Sequence, residues 1–175
     1  MTERTVMIFP QFDNQKIIDD IRAKYDPLCR LVKPHITLVF PFKSDMSNDL
    51  LYRKLVESLK SSHPFSLVLE GISRHNDQYG NYIFLNVMKG SRELIDMHNE
   101  LYLHIFGKQC DELFIPHMTV GNLDSVEQME EAYNSVKGID DRFETIIDKV
   151  SVEMIGEHGE SIIVIEKKLQ YCEEL

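Results

Sequence analysis

Two short runs of this chain share one pattern. Pro34-His35-Ile36-Thr37-Leu38 and Pro116-His117-Met118-Thr119-Val120 both read Pro-His-apolar-Thr-apolar. The chain has only five threonines, and two of them stand two places after a histidine that follows a proline. An internal repeat of this kind is weighed before any other signal. Histidine exchanges a proton near neutral pH, so one neutral and one protonated imidazole can act together as base and acid. A threonine hydroxyl can donate to an oxygen on which negative charge builds. Two histidines and two threonines converging on one group suit phosphodiester chemistry without a metal. The neutral imidazole would take a proton from water or a ribose hydroxyl, and the charged one would protonate the leaving oxygen.

For these side chains to converge, each run has to be a strand. Side chains alternate faces along a strand, so His35 and Thr37 share one face while Ile36, Leu38 and Phe40 point to a core. His117 and Thr119 share a face in the same way, with Met118 and Val120 opposite. The same alternation puts Gly121 on the His117 face, where a missing side chain would leave room.

The surrounding pattern supplies the other elements. Arg4 to Phe9, His35 to Phe42, Phe65 to Ile72 and Tyr82 to Met88 read as strands, with a polar loop from Ser73 to Asn81. Asp13 is placed to cap a helix that runs to about Tyr25 and stops at Asp26-Pro27. Ser47 to Lys60 reads as a helix with Leu51, Leu55 and Leu59 on one face. Ser91 to Phe106 reads as a helix closed by Gly107. Phe114 to Leu123 carries the second motif. Ser125 to Val136 reads as a helix with a serine cap and Gln128 at its third position. Phe143 to Ile155 and Ser161 to Leu169 read as strands joined by the turn Glu157-His158-Gly159-Glu160. Each half of the chain thus sets one His-x-Thr strand among helices and other strands. The expected fold is α+β, one domain over residues 1–175. It has two pseudo-symmetric lobes, each a mainly antiparallel sheet with helices outside, around a central cleft.

Composition narrows the chemistry further. A chain of 175 residues buries enough surface to fold without staples. Cys29, Cys110 and Cys172 are odd in number and far apart, which argues for free thiols rather than a disulfide framework or a zinc site. No signal-like or membrane-spanning run is present, so a cytoplasmic location is expected. The net charge is −10. Residues 1–50 are neutral, and the whole excess of carboxylates falls after them. Such a surface disfavours a long polyanion, since nucleic-acid binding rests on neutralised phosphates. One phosphate in a local pocket is compatible with it.

The doubled His-x-Thr motif resembles that of the two-histidine (2H) phosphoesterase superfamily, which includes the bacterial RNA 2′,3′-cyclic phosphodiesterase and 2′-5′ RNA ligase proteins. Ile8-Phe9-Pro10, Tyr25-Asp26-Pro27 and Pro34-His35-Ile36-Thr37-Leu38-Val39-Phe40 are similar to a small bacterial group within it. The resemblance covers nearly the whole chain. It implies a two-lobed α+β fold, no metal and no cofactor, His35 and His117 as acid–base catalysts, and Thr37 and Thr119 as phosphate binders. The substrate would be a phosphate ester at a nucleotide or RNA end, with no membrane partner, and a monomer is expected. Many RNA-end members carry an arginine three places after the second threonine, where this chain has Asn122. A supporting cation then has to come from elsewhere, with Arg4, Lys33, Lys43 and Arg74 as candidates. An alternative reading is a nucleotide- or RNA-end-binding module that keeps the cleft without turnover.

The remaining histidines read as structural. His98 shares a helix face with Leu94, Leu101 and Ile105, while His104 faces solvent. His63 starts a strand and His158 sits in a turn. His75 lies in a loop that could overhang the cleft. Phe9, Phe42, Tyr79 and Tyr82 could stack on a base, although such side chains are more often core.

Overall fold

The computed structural model describes residues 2–171. In chain order the elements are β1 (Thr2–Ile8), α1 (Gln15–Tyr25), β2 (Ile36–Ser44), α2 (Asn48–Ser58), β3 (Phe65–Asp77) and β4 (Gly80–Lys89). They continue with α3 (Ser91–Phe106), β5 (His117–Leu123), α4 (Val126–Val136), β6 (Phe143–Ile147), β7 (Lys149–Ile155) and β8 (Ser161–Lys168). The strands form two four-stranded antiparallel sheets, ordered β2-β1-β7-β8 and β5-β4-β3-β6. The two His-x-Thr strands, β2 and β5, are the edge strands of their sheets, and they approach each other. Cys172 lies outside the described residues, and Cys29 and Cys110 are unpaired thiols.

The lobes do not correspond to the two halves of the chain. β1 and β2 pair with the late strands β7 and β8, while the middle of the chain builds the other sheet. The units β1-α1-β2-α2 and β4-α3-β5-α4 repeat the same order, and each then sends a strand, β3 or β7, into the other unit's sheet. The helices cross over as well. α1 packs on β5 and α3 packs on β2. Each His-x-Thr strand is therefore backed by a helix from the opposite repeat.

Local sequence accounts for most element boundaries. Ser47 and Ser125 accept the backbone N–H groups of Leu50 and Gln128, closing the starts of α2 and α4. Gln128 also accepts the N–H of Asp124, the residue before the cap. Gly107 ends α3 at φ 74°, a left-handed conformation open to glycine at little cost. Asp13 does not cap α1. Asn14 holds that position, and its side chain donates to the carbonyl of Arg142 instead of closing the helix.

Two expectations fail for reasons of pairing. Ser73 to Asn81 is not a loop, because β3 and β4 run on as a hairpin with Ser73 opposite Phe84, His75 opposite Tyr82 and Asp77 opposite Gly80. The Asp77 carboxylate accepts the N–H groups of Tyr79 and Gly80 and makes the tight turn. Phe143 to Ile155 is not one strand. It breaks at Asp148, so β6 closes one sheet and β7 enters the other. The Asp148 carbonyl is taken by the N–H of Leu169.

The core lies between the helices and the sheets. Leu51 and Leu55 of α2, Leu94 and Leu101 of α3, and Ile36 and Leu38 of β2 are fully buried. Truncating one of these leucines to alanine costs about 2–5 kcal/mol. Among the described residues no helix is long and apolar enough to cross a membrane.

Candidate active site

Both motifs contain the same irregularity, and it re-aims the strands. In β2, Met7 lies opposite Thr37 and Val6 opposite Val39, so Leu38 is an extra residue. In β5, Phe84 lies opposite Thr119 and Ile83 opposite Gly121, so Val120 is extra. A bulge places two consecutive residues on one side and reverses the alternation beyond it. Leu38 with Val39, and Val120 with Gly121, are accordingly all buried. Simple alternation therefore misplaces two residues. Phe40 does not enter the core but is 44% exposed. Gly121 does not open the cleft. A Cβ there would meet the Cβ atoms of Tyr25 at 3.1 Å and Ile83 at 3.3 Å, so α1 fills that space.

The two imidazoles are anchored alike. His35 Nδ1 lies 2.8 Å from the carbonyl of Lys33, and His117 Nδ1 lies 2.7 Å from the carbonyl of Ile115. A carbonyl can only accept, so each Nδ1 carries the proton and donates it. Each Nε2 is left as the basic atom of the neutral ring. Proline in the intervening position, Pro34 or Pro116, restricts the preceding residue to extended backbone and gives both anchors the same reach.

Burial lowers the affinity of both rings for a second proton. Desolvation is the largest influence on each and pushes the pKa of His35 and of His117 below 6.5, partly opposed by the carbonyl bond. His35 also feels Arg22, Asp26 and His117, so protonating His117 disfavours a proton on His35. The two histidines are thus electrostatically linked.

A cavity of about 1100 Å³ is lined by Thr37, His117 and Thr119 among others. That volume slightly exceeds the usual range of about 300–1,000 Å³ for small-molecule sites. His35 is not among its lining residues and lies against Phe9, with ring centroids 6.0 Å apart. The floor is aromatic. Phe84 stacks on His117 at 3.8 Å, and Tyr82 and His75 stack on Phe84 at 5.7 Å and 5.9 Å. Ser73 donates to the side-chain oxygen of Asn86, which stands across from His117. Phe42, Tyr79 and Tyr82 line the cavity and Phe9 does not. Phe84, Asn86 and Ser73 escaped the sequence reading. The alternation of Tyr82, Phe84 and Asn86 on β4 would have found two of them once the polar face was read as a site. His98 is packed as expected, donating to the carbonyl of Leu38 and lying parallel to Phe114 at 4.0 Å.

The candidate cations divide sharply. Arg4 is buried and donates to the Met46 carbonyl and the Asn48 side chain. Lys33 and Lys43 do not line the cavity. Arg74 does, but its guanidinium is held by Glu130 at 2.5 Å and lies over the Tyr133 ring. Lys108, which also lines it, pairs with Asp111 at 3.2 Å. Asp77 and Glu112 add further carboxylates to the rim. Asn122 stands opposite Tyr82. Among the described residues no group of three or more His, Cys, Asp or Glu is arranged to hold a metal.

The family is decided by comparison. A model of the 2′-5′ RNA ligase superfamily matches residues 9–157. The chain belongs to this superfamily. A Bacillus licheniformis protein provisionally named as a phosphoesterase is 28% identical over 82% of this chain and 85% of its own length. A Bacillus anthracis relative with the same provisional name is 31% identical over 66% of this chain and 67% of its own. The Escherichia coli LigT structure with 3′-AMP superposes with a TM-score of 0.65 at 14% identity, over 97% of this chain and 99% of that one. LigT with bound phosphate gives 0.60 at 14% identity, over 97% and 98%. These likenesses establish the fold, two antiparallel sheets with helices in an α+β arrangement.

Proposed function

We propose that this superfamily member is a phosphoesterase acting on a cyclic phosphate or a 2′-5′ phosphodiester at a nucleotide or RNA end. His35 and His117 exchange protons with the substrate, and Thr37 and Thr119 hold the phosphate. The chain acts as one domain and as a monomer, in the cytoplasm. The observation that carries this reading is the matched pair of Nδ1–H to carbonyl bonds. Each bond survives protonation, because Nδ1 bears its proton in both the neutral and the charged ring. Either Nε2 can therefore serve as base or as acid without a change of tautomer.

In hydrolysis, the neutral Nε2 takes a proton from water as the oxygen bonds to phosphorus. The opposite Nε2–H passes its proton to the ribose oxygen as the second P–O bond breaks. The threonine hydroxyls donate to the non-bridging oxygens, where charge rises in the transition state. Reversal of the same steps would ligate. The aromatic floor beside His117 suits a base or ribose face. The carboxylates at the rim suit a singly charged diester better than a polyanion.

A panel of 2′,3′-cyclic nucleotides and short 2′-5′ and 3′-5′ oligonucleotides, assayed in EDTA, tests the reading. Turnover by the wild type that is lost in both histidine variants supports it. Undiminished turnover by a His35→Ala/His117→Ala double variant sinks it.

One observation favours a second reading. Asn122 brings no charge to the site, and both Arg74 and Lys108 are already paired with carboxylates. A binding module would retain affinity for a 2′-phosphonucleotide while turning over no member of the panel.

A further inference from the structure

The Tyr25-Asp26-Pro27 run ends α1, and the residues of that last turn do more than stop a helix. Arg22 and Asp26 form an ion pair at 2.7 Å with side chains only 2% and 4% exposed. A buried pair of charges gains little stability over apolar residues of the same size, so its presence asks for another account. Its remaining bonds supply one. Arg22 Nη2 donates to the carbonyl of Val32 at 2.9 Å, and Asp26 accepts the N–H of Leu28 at 2.9 Å. The pair therefore clamps both ends of the segment from Asp26 to Val32. The next residue is Lys33, whose carbonyl receives Nδ1–H of His35. One peptide unit separates the arginine's anchor from the imidazole's anchor.

The same turn touches the other motif. Tyr25 packs against Gly121 in β5, and its hydroxyl meets Ser135 of α4 at 2.7 Å. On the other side of the site, the His117 ring rests on Phe84.

We infer that the last turn of α1 is a brace between the two motifs, with Arg22 and Asp26 as positioning residues that fix the tautomer and orientation of His35. The inference rests on the proposed proton-transfer role of His35 for its effect on turnover, but not for its effect on the ring itself. The charged or titratable groups acting on His35 are Arg22, Asp26 and His117. Arg22 and Asp26 oppose each other there, so the intact pair holds the ring without adding net charge.

The test uses ¹⁵N-detected histidine NMR and steady-state kinetics on a 2′,3′-cyclic nucleotide. Two variants are compared with wild type: Asp26→Asn, and the double variant Arg22→Met/Asp26→Leu, which replaces the pair by apolar side chains of similar size. Wild-type His35 and His117 should both show the Nδ1–H tautomer. In the double variant His35 should revert toward the Nε2–H form preferred by free imidazole, while His117 keeps its own. Its kcat should fall about 10–100-fold with KM within roughly threefold, the signature of lost orientation rather than lost binding. Asp26→Asn leaves the guanidinium uncompensated, so the His35 titration should move to lower pH and that of His117 should stay. Should the double variant fail to fold, Asp26→Asn still decides. An unchanged His35 tautomer and titration in a folded variant overturns the brace. A shifted tautomer in a protein whose wild type turns over nothing upholds the brace and overturns the catalytic role.

Discussion

Gly121→Ala separates two meanings of one glycine. If the missing side chain left room for substrate, a methyl group there would narrow the cleft and raise KM. The observed neighbours give a different outcome. The new methyl would sit 3.1 Å from Tyr25 Cβ and 3.3 Å from Ile83 Cβ, both tighter than ordinary contact. Neither neighbour can rotate away, because a Cβ moves only with its backbone. α1 or β5 must yield by a few tenths of an ångström. Overpacking of this kind costs about 1–3 kcal/mol. In a chain of this size that corresponds to a loss of roughly 2–12 °C in Tm, by the scaling for 150–250 residues. Urea unfolding should show a lower midpoint with the slope unchanged. Because the shift passes to the strand of His117, kcat should drop by up to about tenfold, below the roughly 100-fold expected for a full 1 Å misplacement. KM should stay near wild type. An alanine variant with unchanged stability and a raised KM would refute the packing argument.

Other outcomes follow from the same geometry. His35→Ala and His117→Ala should each lower kcat about 10²–10⁴-fold without unfolding the chain, with rates the same in EDTA. Burial lowers the pKa of both imidazoles from 6.5, and the proposed mechanism needs one of them protonated and the other neutral. The pH profile of kcat/KM should therefore be a bell centred on the acid side of 6.5, falling through neutrality as the acid loses its proton, and a plateau extending to pH 8 would contradict it. His98→Leu should destabilise by about 1–3 kcal/mol at pH 7.5, because the buried Leu38 carbonyl loses its donor. Burial holds the His98 pKa below 6.5, so its contribution is present above that pH and is lost as pH falls. Urea midpoints of wild type and variant should converge between pH 7.5 and 5, and a gap that widens on acidification would be the contrary result.

Much of the fold was legible because its signals are local. Ser47, Ser125 and Gly107 act within one turn of the backbone, so the starts of α2 and α4 and the end of α3 were readable from spacing alone. Ser73 to Asn81 does not announce its hairpin, because polar composition looks the same in a loop and in a hairpin whose face lines a cavity. The faces of Phe40 and Gly121 are not legible in one strand, because a bulge is a property of two paired strands and one strand's sequence does not record its partner's register. α1 starts one residue later than Asp13 would place it, after Asn14, whose side chain bonds the distant Arg142 carbonyl rather than the helix.

By itself the sequence determined the reactive residue types, their Pro-His-x-Thr spacing and the charge that disfavours a long polyanion. These are covalent facts and need no partner. The tertiary structure alone decided that β2 and β5 are facing edge strands of different sheets, that each is backed by a helix of the other repeat, and that the end of α1 buries the Arg22–Asp26 pair and sets Tyr25 against Gly121. The physical reason is that strand pairing and helix packing join residues far apart in the chain. The same joining turns two histidine motifs into one candidate site.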